Sequence, residues 1–182
     1  MPEMLNQDLE YLRASPSELE SFLLSKDTIR QLPDLSLSVG NILLAHRRLS
    51  AAGMADQIEQ EWKRIDEIHN QWKAAWASKC QLELKMRMRI WGDFLLGMAP
   101  DKSQPSTAYR HQVRNRVIMQ LLEDSIPELA AEYSESIERK DKILIKFSAE
   151  NDFIWEAEVE SGFPGEKFWF LYRILKYEKA HP

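Results

Sequence analysis

Residues 54–97 constrain the fold more than any other stretch. They carry Trp62, Trp72, Trp76 and Trp91, four of the six tryptophans in the chain. Ile58, Trp62, Ile65, His69, Trp72 and Trp76 follow at alternating steps of four and three, which returns each to one face of a helix. Glu59, Glu61, Lys63, Arg64 and Asp66 fall on the other faces. The spacing predicts one very long helix over about 54–97, a rod of about 65 Å at about 1.5 Å per residue. Beyond Trp76 a strict seven-residue repeat would put Lys79, Glu83 and Asp93 on the seam, whereas the apolar residues shift to Leu82, Met86, Ile90 and Phe94. That drift belongs to a straight helix packed in a bundle more than to a supercoil. Gly97 and Pro100 supply its stop.

The rod needs cover, and the preceding residues offer it. Leu5, Leu9 and Leu12 predict a short helix over 2–13. Ser15-Pro16-Ser17-Glu18 reads as a capping box that opens a second helix with Leu19, Phe22 and Leu23 inward. Residues 1–34 hold seven acids against three bases, a solvated acidic cap. Val39, Ile42, Leu43, Ala45 and Leu49 predict a helix that Gly53 can end with positive φ. A hairpin at Gly53 is preferred to a helix running on from 36 to 97.

Ala99–Pro105 is polar and bracketed by prolines, so a loop or hinge is expected. Ser106 or Thr107 can cap a helix through Leu122, and Ser125-Ile126-Pro127-Glu128 opens another to about Glu138. The period then changes from three-four to two. Ile143, Ile145 and Phe147 alternate, as do Phe153, Trp155, Ala157 and Val159 against Glu156, Glu158 and Glu160. Residues 167–177 are apolar on both faces, which fits a doubly buried strand, with a helix as the alternative. The expected fold class is α+β: a mainly helical bundle (1–139) and a small C-terminal antiparallel three-stranded sheet (140–182) packed on it.

Few function classes find support in the residues. One cysteine, Cys80, permits neither an internal disulfide nor a CxxC metal site. A net charge of −5 argues against general coating of nucleic acid. Asp66 and His69 stand three apart as in carboxylate-bridged helix bundles, but no second acid-x-x-His repeats the pattern. No nucleophile elbow or phosphate-cradling glycine loop occurs. The expectation is therefore a non-enzyme with no cofactor, no metal and no evident small-molecule substrate. With neither a basic n-region nor a long apolar run in view, a cytoplasmic location and no membrane contact are expected.

Two surfaces remain. Met86, Met88, Trp91, Phe94 and Leu95 make the end of the rod apolar nearly all round, a pattern of central burial or of docking on a partner. Lys85, Arg87, Arg89, Arg110 and Arg114 would form a basic patch if the helices on either side of the hinge pack antiparallel. The first surface predicts a scaffold or adaptor subunit working through a protein partner or a homo-oligomer. The second predicts a nucleic-acid-binding accessory subunit.

Overall fold

The computed structural model describes residues 3–32, 36–98 and 106–176. They are mostly helical, with two small antiparallel two-stranded sheets. The chain divides into two compact units, Met1–Leu84 and Lys85–Pro182.

The first unit begins with α1 (Glu3–Leu23), where two helices were expected. Pro16 lies inside this helix and Ser15 does not cap it: its Oγ donates to the Tyr11 carbonyl at 2.7 Å. Ser17 donates likewise to the Ala14 carbonyl. Serine hydroxyls can turn back to the preceding turn in this way, so Ser-x-x-Glu alone does not mark a helix start. Leu5, Leu9, Leu12, Leu19 and Phe22 are all buried, one apolar row through the proline.

A short sheet follows, β1 (Arg30–Gln31) against β2 (Ser36–Leu37). Next comes α2 (Val39–Ala51), capped by Ser38, whose Oγ accepts from the Asn41 amide. Gly53 ends it with φ +73°. The Met54 amide reaches the Leu49 carbonyl and the Gly53 amide the Ser50 carbonyl, the paired bonds of a Schellman stop. The chain then enters a 3-10 turn (Ala55–Gln57) and α3 (Glu59–Gln71).

The expected single rod is two helices. Trp72, with φ −118° and ψ 38°, separates α3 from α4 (Lys73–Leu96). The deviation is local, because the Trp72 amide still bonds the Ile68 carbonyl and the Trp76 amide the Trp72 carbonyl. Neither proline nor glycine stands at this break, so no residue type announces it. On the expected stripe Ile58, Ile65 and Trp76 are buried, while Trp62, His69 and Trp72 are half-buried.

In the second unit α5 (Ser106–Ser125) runs antiparallel to the adjoining part of α4, for Arg87 meets Asn115 while Trp91 and Phe94 meet Tyr109. Pro127 at the first turn opens α6 (Pro127–Phe147). This helix passes straight through residue 140, so the alternation at 142–147 is not a strand. Ile137 and Leu144, seven apart, are buried, and Ile145 is left 49% exposed.

The C-terminal sheet has two strands, β3 (Ser148–Glu150) and β4 (Arg173–Leu175), where three longer ones were expected. The Asn151 and Ile154 amides extend the pairing by bonding the Tyr172 and Leu171 carbonyls. Residues 157–162 and 169–172 are 3-10 turns. Rings explain why this segment does not form regular strands. Phe163 meets Phe153, Trp155 and Phe168 at centroid separations of 5.1–6.5 Å, a cluster that points side chains inward from both turns. Tyr109 Oη donates to the Phe170 carbonyl at 2.6 Å and Trp155 Nε1 to the Arg110 carbonyl, so α5 covers this layer. The expected hinge, 99–105, lies outside the described residues, as does the end of the 167–177 stretch.

Candidate functional site

The unusual feature of α4 is what it turns inward. Lys79 and Glu83, one turn apart, are 3% and 1% exposed. Burying a charge is costly unless it is paired and hydrogen-bonded. Each of these two has hydrogen-bond partners of opposite polarity. Lys79 Nζ donates to the Ser25 and Asp27 carbonyls in the turn that follows α1. It also lies 4.5 Å from the centroid of the Phe22 ring. The Glu83 carboxylate accepts from Ser38 Oγ and the Gly40 amide, both at 2.8 Å, at the positive N-terminus of α2. Burial pushes the Lys79 amine below its usual value, with Asp27 opposing and Arg30 adding to the shift.

Farther along, Arg87 is buried too and donates to Asn115 Oδ1 at 3.0 Å. With charged groups on the inward face, apolar ones are displaced outward. Leu82 is 42% exposed and Ile90 38%, and Met86 and Phe94 are half-buried. In the second unit Met86, Ile90 and Phe94 form a row at steps of four along one side of the helix. Lys85 and Arg89 are exposed on the same helix.

Of the five residues expected to meet a partner, Met88, Trp91 and Leu95 are buried, leaving Met86 and Phe94 with surface. Ile90, 38% exposed and on the same side, belongs beside them. Of the five basic candidates, Lys85 lies 5.9 Å from the Tyr133 ring and Arg110 pairs with Glu156 at 2.9 Å. Arg87 is buried, Arg114 half-buried, and Arg89 exposed. The antiparallel packing of α4 and α5 thus brings their elements together without gathering the five charges on one open face.

Comparison with protein-family models, curated proteins and solved structures finds no match for this chain.

The other candidate chemistry resolves into packing. His69 is tilted against Trp76 at 4.5 Å, and burial lowers its pKa against the opposing Asp66 charge. His46 stacks on Trp62 at 3.6 Å, and burial, aided by Arg47, lowers its pKa to about 4. Cys80 is buried. Glu158 and Glu160 are exposed, as the solvent side of their segment. Among the described residues no group of three metal-capable side chains is found, and no helix is long and apolar enough to cross a membrane.

Proposed function

We propose that this protein is a non-enzymatic adaptor subunit that docks an acidic amphipathic helix of another protein along the Met86–Ile90–Phe94 row of α4. One observation carries the reading: α4 leaves the apolar Ile90 38% exposed, with Met86 and Phe94 half-buried one turn to either side. An exposed apolar row at helical spacing fits a helix laid against it, with anchors at steps of three and four. Lys85 and Arg89, exposed on the same helix, favour a partner whose flanks are acidic.

The alternative, nucleic-acid binding, draws on Lys85, Arg89, Arg110 and Arg114. It is the weaker reading because Arg87 is buried and Arg110 already faces a carboxylate.

A photo-crosslinking residue in place of Ile90 tests the proposal in the native cell, with the same residue in place of Ile145 as an exposed apolar control. The expected product is an adduct to an acidic amphipathic segment at position 90 alone, abolished by Met86→Glu. Adducts only to a second copy of this chain, only to nucleic acid, or equally at both positions overturn it.

A further inference from the structure

Beneath the docking row lies a buried donor with no acceptor among the described residues. Trp91 is 0% exposed, and its Nε1 is shut away with it. An indole N–H in that position forfeits the bond it makes in water, and such groups are rare enough in folded chains to call for a physical reason. Phe94 stacks on the indole with centroids 5.4 Å and planes 25° apart. Tyr109 stands 6.4 Å from the indole and 6.5 Å from Phe94, closing a triangle of rings. It is 2% exposed, and its hydroxyl already donates to the Phe170 carbonyl at 2.6 Å.

Of these three rings only Phe94 keeps surface, so the way in from solvent passes it. Phe94 is also a member of the Met86–Ile90–Phe94 row, and a helix laid on that row lies one ring away from the unmet donor. The indole N–H can only donate, so it selects an oxygen acceptor. Charge decides which kind. Residues two apart on a helix point about 160° apart, which sets Arg89 on the far side of α4 from Trp91. Arg110, next to Tyr109 in sequence, already pairs with Glu156 at 2.9 Å. A carboxylate brought to Trp91 would be buried without a cation, whereas an amide carbonyl meets the donor and carries no charge.

On the docking reading above, which this extends, we propose that Trp91 is the polar anchor of the row, its Nε1 donating to the side-chain amide oxygen of an asparagine or glutamine in the docked helix. Phe94 turns aside to admit the amide. The partner then has two unlike flanks, acidic toward Lys85 and Arg89 and amide-bearing toward Trp91. That asymmetry fixes which way round the helix lies, something an apolar row alone does not do. A helix without the amide leaves the donor unmet and binds less tightly.

Proton–nitrogen NMR of the indole groups in the full chain reads the donor directly. The Trp91 N–H should resonate where unbonded indoles do in the free chain and move downfield with a bound probe. The probe is a synthetic helical peptide with leucines at steps of three and four, glutamates along one flank and a glutamine on the other, made in registers that place the glutamine at successive turns. In the tightest-binding register, leucine in place of that glutamine should weaken binding to wild type about tenfold or more. Replacing Trp91 with benzothienylalanine, which keeps the bicyclic ring and lacks the N–H, should make the two peptides bind alike. The same replacement at Trp72, whose Nε1 also lacks an acceptor among the described residues, should leave the preference intact. A Trp91 proton already bonded in the free chain, or a glutamine preference that is absent or survives the replacement at Trp91, overturns the anchor and leaves the row standing. Peptides that bind in no register overturn row and anchor together. Should the replacement disturb the fold, the wild-type indole resonance with and without peptide decides alone.

Discussion

Replacing Glu83 with glutamine should cost far more than a change of one atom suggests. The carboxylate accepts two hydrogen bonds at 2.8 Å, from Ser38 Oγ and the Gly40 amide, and is 1% exposed. Hydrogen bonds to a charged group contribute about 1.5–3 kcal/mol each, and a negative charge at a partly buried helix N-terminus up to about 2 kcal/mol. Glutamine keeps one acceptor oxygen and turns an N–H₂ toward the other donor. One bond is lost, the other weakens, and the charge at the end of α2 disappears. The relief of burying a neutral group offsets part of this, so a net loss of about 2–4 kcal/mol is expected. Urea unfolding followed by tryptophan fluorescence measures it, with an unchanged m-value certifying that the same surface unfolds. Ser38→Ala combined with Glu83→Gln should show a coupling of about 1 kcal/mol in a double-mutant cycle. A loss below about 1 kcal/mol with no coupling would refute the assignment of Glu83 as the anchor of α2.

Three further substitutions probe other features. Gly53 has φ +73° and nothing within 4 Å of a built Cβ, so Gly53→Ala should cost about 1–2 kcal/mol through backbone strain alone, and Gly53→Asn less, read by thermal unfolding. Gly92 stands inside α4, where a Cβ would lie 3.1 Å from Lys140 Cε, the far end of a flexible side chain. Gly92→Ala should therefore be neutral or stabilising by up to about 1 kcal/mol, and a larger loss would show that Lys140 cannot move. His46, lowered to about 4 by burial and then Arg47, contributes stability that is complete above its ordinary 6.5 and lost as pH falls through about 4. His46→Gln should flatten that acid limb, and an unchanged limb in denaturant titrations would exclude His46 as its source.

Much of the helical half was legible because local rules and packing agree there. The buried row Leu5, Leu9, Leu12 and the stop at Gly53 follow from spacing and from glycine's access to positive φ. The C-terminal part was not legible for a physical reason. Ile143 and Ile145 alternate by accident in a stretch whose neighbours Glu138, Arg139, Lys140 and Lys142 are strong helix formers, and α6 keeps its own period through Ile137 and Leu144. In the segment 153–172 aromatic rings contribute enough burial from irregular backbone that no ladder is needed beyond β3 and β4. Alternation there recorded inward rings rather than strands.

The inner and outer faces of α4 differ from the sequence reading for another reason. The apolar drift along α4 assigns Leu82, Met86 and Ile90 to the inside and Lys79, Glu83 and Arg87 to the outside. The structure reverses this, since each of the three charged residues has a partner that a solvated face would lack: a set of carbonyls, a helix N-terminus and an amide. Periodicity weighs side chains by hydrophobicity and ignores the unsatisfied groups at the ends of neighbouring helices. In a chain with several short helices such ends are numerous, and long charged side chains can satisfy them from the middle of another helix. Substitutions that weaken Lys79 or Glu83 therefore act on the fold, through the turn after α1 and the start of α2.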